Sequence, residues 1–132
     1  MILGIDFGLK NIGLAITDDS EKLALALRTI DNKNAAENIV ALIKEKNITQ
    51  IVLGNPIKGN GEKGFVTQMM DGFISKITES LPKIPVHLID ESMTTNAAIN
   101  ELKQQGYSYD SIQKMKDAEA AKFILQSFID NK

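Results

Sequence analysis

A chain of 132 residues has room for one domain rather than two. With 43% hydrophobic and 24% charged residues it has the composition of a globular protein, not a disordered one. Cysteine is absent, which excludes disulfides, thiolate chemistry and cysteine-based zinc sites. The single histidine, His87, is the one base a Ser-His-Asp triad would have to use. A net charge of −2 excludes a protein that merely coats nucleic acid, and no apolar run approaches the ~20 residues of a membrane span.

The first residues, Met1-Ile2-Leu3-Gly4-Ile5-Asp6, lack a basic lead-in and meet a carboxylate at once, so no signal peptide is expected and a cytoplasmic location is. Residues 2–8 read as a buried strand ending in glycine. Residues 11–18 read as a second strand after the tight Gly8-Leu9-Lys10 connection. A third lies near 24–30, beyond the polar turn Asp18-Asp19-Ser20-Glu21. Short turns between three consecutive strands predict an antiparallel meander.

The period then changes. Asn34 with Glu37 three residues on marks a helix start, and Ala36, Ile39, Val40 and Ile43 repeat at helical spacing to about residue 46. Ile51-Val52-Leu53 is a short buried strand, followed by a glycine-rich loop from Gly54 to Gly64. Val66, Met69, Met70, Phe73, Ile77 and Leu81 mark a second helix, and Val86-His87-Leu88-Ile89 a fifth strand. A third helix is expected over about 95–105, stopped by Gly106, with Thr94-Thr95 as its cap. A last helix covers about 112–130. The order βββαβαβα plus one further helix predicts an α/β fold: a mixed five-stranded sheet, antiparallel across strands 1–3 and parallel thereafter, flanked by helices.

Three acidic positions stand against this apolar background. Asp6 lies inside a buried-strand pattern, where a carboxylate costs free energy unless a cation or hydrogen bonds compensate. Asp90-Glu91 ends the fifth strand, and alternation lets only one of the two share a face with a given neighbour. Asp117 heads the stripe Asp117, Ala121, Ile124, Phe128 on the last helix, near its expected N-terminal end, while Glu119 is expected to face solvent. Brought together, three carboxylates repel one another, and a divalent ion removes that conflict. Oxygen ligands without cysteine or a useful histidine suit Mg²⁺ or Mn²⁺, one ion or two, and the chemistry that follows is phosphodiester hydrolysis. His87 reads as a half-buried strand residue.

Seven of the nine glycines fall within 4–13 or 54–64. Gly4, Gly8 and Gly13 surround Asp6 and let backbone or phosphate approach closely. The loop Gly54-Asn55-Pro56-Ile57-Lys58-Gly59-Asn60-Gly61-Glu62-Lys63-Gly64 leads into a helix N-terminus, which suits phosphate, although it lacks the Gly-Lys-[Ser/Thr] of a Walker A motif. Lys10, Lys58 and Lys63 are the candidate phosphate contacts. Only Arg28 among the 15 basic residues is arginine, so lysines and backbone amides must supply the grip.

Taken in order, these segments resemble the YqgF family, which is RuvX-like and also called Holliday-junction-resolvase-like. Gly4-Ile5-Asp6-Phe7-Gly8-Leu9-Lys10-Asn11-Ile12-Gly13-Leu14-Ala15 is similar to the family's GIDxGxKRIGxA opening, and Leu25 to Ile30 to its third strand. Gly54-Asn55-Pro56 through Gly64 resembles its GLPxxxxGxxG loop, Asp90-Glu91-Ser92-Met93-Thr94-Thr95 its DERxTT segment, and Lys116 through Gln126 its K-x-D-x-x-A-A…ILQ ending.

The resemblance implies an RNase H-like domain spanning 1–132 and a metal-dependent nuclease whose catalytic and metal-binding acids are Asp6, Glu91 and Asp117. It implies nucleic-acid contacts from Lys10, Asn11, Lys58, Gly59, Lys63, Ser92 and Thr94. It also implies maturation of the 5′ end of pre-16S rRNA in ribosome biogenesis, on free precursor or precursor particles, by a monomer or weak homodimer. Two positions depart from the family: Asn11 and Ser92 stand where it has arginine. Other readings compete: resolution of branched DNA, a non-catalytic RNase H-fold nucleic-acid binder, and an actin-like ATPase or sugar kinase, whose two lobes this length does not supply.

Overall fold

The computed structural model describes residues 1–55, 64–90 and 94–131, and no side chain at 94–97. Five strands, β1 (Ile2–Asp6), β2 (Asn11–Thr17), β3 (Ala24–Asp31), β4 (Gln50–Asn55) and β5 (Val86–Asp90), form one sheet in the order β3-β2-β1-β4-β5. β2 is antiparallel to both β1 and β3, whereas β4 is parallel to β1 and β5 to β4. This is the expected mixed sheet. The central strand β1 buries Ile2, Leu3, Gly4 and Ile5 because layers cover both of its faces.

One layer is α1 (Ala35–Lys46) and α2 (Phe65–Ser80). Ile39, Leu42 and Ile43 of α1, with Met70, Phe73 and Ile77 of α2, pack on Leu3, Ile5, Ile12, Leu14, Ile51 and Leu53. Each such side chain contributes about 1.5–3 kcal/mol of burial. The other layer is α4 (Tyr109–Asp130), whose Ala121, Ile124 and Leu125 pack on Ile2, Ala15, Ala24 and Val52. The remaining helix, α3 (Thr94–Gln104), rests on α4 with Ala98 and Leu102 buried.

The structure corrects three local expectations. Asn34 precedes α1 as predicted, but in a left-handed conformation (φ 60°) that makes no side-chain cap. α4 begins three residues before the expected start, where Ser108 Oγ accepts from the Ser111 amide, so Asp117 lies in the third turn, further from the N-terminal end than expected. The helix dipole therefore gives no reason for an acid there. Glu119 does not face solvent: its side chain is 12% exposed and its Oε2 lies 2.7 Å from Lys122 Nζ. The reason is that α3 packs on α4 and covers the flank that faces away from the sheet. Lys122 also reaches Glu101 of α3 at 3.3 Å, tying the two helices together. Burial by itself would lower the pKa of this ammonium, and its pairs with Glu119 and then Glu101 more than offset that and raise it. Gly106, at φ +87°, ends the α3 segment in the left-handed conformation that glycine tolerates best.

Candidate active site

The site lies at the end of the sheet where β1, β4 and β5 finish and β2 begins. Ile2 and Gly4 point toward α4, with Leu125 standing directly over Gly4, and alternation sends Asp6 the same way. Asp6 is paired with Gly13 of β2, which in turn is paired with Thr29 of β3. Asp6, Gly13 and Thr29 thus form a row on the α4 face, with neighbours about 5 Å apart.

Gly13 sets the position of the helix above this row. A Cβ there would overlap the Asp117 carbonyl and crowd the Ala118 amide nitrogen at 2.8 Å. With only hydrogen on Gly13, the α4 backbone at Asp117 settles against β2, one strand from Asp6. The short opening glycines therefore admit helix backbone, one of the two readings the sequence allowed. Asp117 is half-buried, burial pushes its carboxyl pKa up, and the Lys116 ammonium pulls part of the way back. Its carboxyl is thus held at a desolvation cost that a further cation would relieve.

The turn carrying Lys10 and Asn11 is braced from β3. The Asn32 side-chain amide donates to the Gly8 carbonyl, and the Asn32 backbone amide donates to the Lys10 carbonyl at 2.9 Å. Lys10 and Asn11 are exposed at the same end of the sheet. Asp90 pairs in register with Asn55 and is exposed, on the face opposite His87 and Ile89. Thr94 is the first residue of α3. Glu91, Lys58, Gly59, Lys63 and Ser92 lie outside the described residues. Among those that are described, no three acids or histidines gather closely enough to form a metal cluster.

His87 has a structural role, as expected. Its Nε2 lies 3.0 Å from Gln50 Oε1, and its ring packs on Phe128 with centroids 4.8 Å apart. Sequence reasoning missed Thr29. Its hydroxyl is buried without a hydrogen-bond partner on the row that holds Asp6 and Gly13. A threonine in a strand carries no signal of its own, and only the β2–β3 register reveals its place.

The same architecture occurs in RuvC. The structure of Thermus thermophilus RuvC in complex with a Holliday junction substrate superimposes with a TM-score of 0.59 over 97% of this chain and 92% of that one, at 10% identity. The fold is therefore RNase H-like. Family membership is more specific: the family model RuvX, Holliday junction resolvase, matches residues 1–131, and the chain belongs to that family. Among its relatives, a protein of Mycoplasmopsis synoviae is 35% identical over 97% of this chain and 96% of its own length. One of Pelagibacter ubique is 36% identical over 97% and 86%. Both bear the name "Putative pre-16S rRNA nuclease".

Proposed function

We propose that residues 1–132 act as one nuclease domain that hydrolyses phosphodiester bonds of pre-16S rRNA near its 5′ end, with Asp6, Glu91 and Asp117 as the catalytic acids. The observation that carries this reading is the Gly13 contact, which seats Asp117 one strand from Asp6 on the same face of the sheet. Glu91 is included on the sequence alone, because Asp90-Glu91-Ser92-Met93-Thr94-Thr95 resembles the DERxTT segment of the family. The names of the relatives supply the substrate class.

The donor set fits a divalent ion. The acids offer oxygen only, His87 is occupied by Gln50 and Phe128, and burial penalises the Asp117 charge. Asp6, Glu91 and Asp117 would hold Mg²⁺ or Mn²⁺, one ion or two, which supplies Lewis acidity and a water made acidic enough to attack at neutral pH. The protein's own contribution is positional. Gly13 fixes the distance from α4 to the sheet, and Asn32 holds the Gly8 turn, which presents Lys10 and Asn11 to the phosphate backbone. Lys58, Gly59, Lys63, Ser92 and Thr94 complete the proposed nucleic-acid contacts. Lysines grip phosphate as point charges, without the fork of an arginine. The proposed setting is the cytoplasm, on precursor rRNA or precursor particles, as a monomer or weak homodimer; no helix among the described residues is long and apolar enough to cross a membrane.

The test incubates purified protein with a pre-16S leader RNA and with four-way junction DNA, in Mg²⁺, Mn²⁺ or EDTA. RNA cleavage that EDTA and Asp6→Asn both abolish supports the reading. Preference for the junction would assign branched DNA instead. Absence of any metal-dependent cleavage would leave a binding protein.

A further inference from the structure

On the opposite face of the sheet, between α1 and α2, lies a cleft of about 200 Å³. Its floor is the Phe7–Phe73 pair, with centroids 5.1 Å apart, and its rim carries the side-chain amides of Asn34 and Gln68. Along one stripe of α2, at i, i+4 and i+7, come Phe65, Met69 and Gly72. Phe65 is 65% and Met69 45% exposed, a large apolar surface for the outside of a helix. Phe7 directly follows Asp6, so the cleft opens at the end of the sheet that carries the acids.

We propose that this cleft receives one unpaired nucleobase of a bound single-stranded RNA. The proposal rests on the nuclease reading for the choice of ligand but not on cleavage. Three observations select a base over other occupants. The volume holds a single planar heterocycle and excludes a duplex or a peptide helix. The walls combine apolar and aromatic surface with amides that both donate and accept, as base edges require. The charged groups lining it are one of each sign, Glu37 and Lys76, which disfavours a phosphate as the buried group. A strand passing Asp6 would leave its phosphates at the acids and turn one base around the end of the sheet into the cleft, beside Met69.

Gly72 provides the test without disturbing the core. A Cβ there meets nothing within 4 Å, and glycine is a poor residue for a helix interior, so Gly72→Phe fills the cleft while the fold persists. Binding of a short fluorescent single-stranded RNA is measured in EDTA, alongside the same strand with abasic sites. Base stacking on such surfaces is worth about 1–3 kcal/mol, so Gly72→Phe and, separately, Met69→Ala, which removes a lining side chain, should weaken the intact strand by roughly five- to a hundredfold. The abasic strand should bind the wild type more weakly and be indifferent to either substitution. Equal loss for both strands, no loss for either, or no RNA binding by the wild type would overturn the proposal. Failure of the nuclease reading is seen separately, as absent cleavage in Mg²⁺ with the base-dependent binding intact.

Discussion

Replacing Gly13 by alanine adds one methyl group at the point where α4 touches the sheet. The new Cβ would fall well inside the 3.0 Å that real Cβ atoms do not cross, against the Asp117 carbonyl and the Ala118 amide. Both neighbours are helix backbone, so no flexible side chain can turn aside, and α4 must retreat by roughly an ångström. Overpacking of this kind costs about 1–3 kcal/mol, and a rigid neighbour puts Gly13→Ala at about 3 kcal/mol. For a domain of this size that lowers Tm by roughly 10–15 °C. The retreat also carries Asp117 away from Asp6, and a misplacement of about 1 Å can cost on the order of a hundredfold in rate. The assays are thermal denaturation and RNA cleavage at a temperature where both proteins are folded. Gly72→Ala is the stability control: with open space at its Cβ it should gain about 0.5–1 kcal/mol. A Gly13→Ala protein with wild-type Tm and rate would refute the claim that this contact positions the acids.

Four further outcomes follow from the site. Because burial raises the Asp117 pKa, its contribution to stability is full below its ordinary value near 3.8 and lost as pH rises through the raised folded value; metal-free Asp117→Asn should therefore melt above wild type at pH 7, with the gap closing toward pH 4, and a gap that ignores pH would contradict this. Mg²⁺ or Mn²⁺ at ten times its dissociation constant should add about 1.4 kcal/mol to the wild type and much less to Asp6→Asn, read as a Tm shift of a few degrees. Asn11→Arg with Ser92→Arg should lower KM more than it raises kcat and steepen the log–log salt dependence of binding by about two; unchanged affinity would mean these positions do not face substrate. Lys122→Met leaves Glu119 half-buried without its cation, so denaturant titration should show a loss of about 1–3 kcal/mol, and a neutral result would mean that Glu119 finds solvent.

The sheet was legible because its signals are local. Ile2 to Ile5 and Ile51 to Leu53 are continuous apolar runs of strand length, and Gly8-Leu9-Lys10 is too short to be anything but a turn. Asp6 was legible because a carboxylate in such a run conflicts with burial, and Asp117 because it heads an apolar helical stripe. What escaped notice depends on a third element. Glu119 lies on the flank that α3 covers, and helical periodicity taken one helix at a time cannot reveal a second helix lying across it. Thr29 needed the β2–β3 register, in which a shift between Leu14 and Ala15 places it opposite Gly13. The extra turn of α4 turned on Ser108, a cap signal set in the polar stretch after Gly106.

The two faces of the sheet divide the work. On the α4 side, small residues at 4 and 13 bring a helix backbone down onto the strands, and that close approach places one acid against the row of another. On the α1–α2 side, the large residues Phe7 and Phe73 hold the helices apart enough to leave a cleft. Both features meet at the carboxyl end of β1, where Asp6 points one way and Phe7 the other. Strand alternation therefore couples them, because a slip of one residue in β1 would send the acid into the α1–α2 core and the ring into the acidic site. Register in β1 is held on both sides, by β2 through Gly13 and by β4 through Leu53. The arrangement of the acids is thus protected by the packing of the whole sheet.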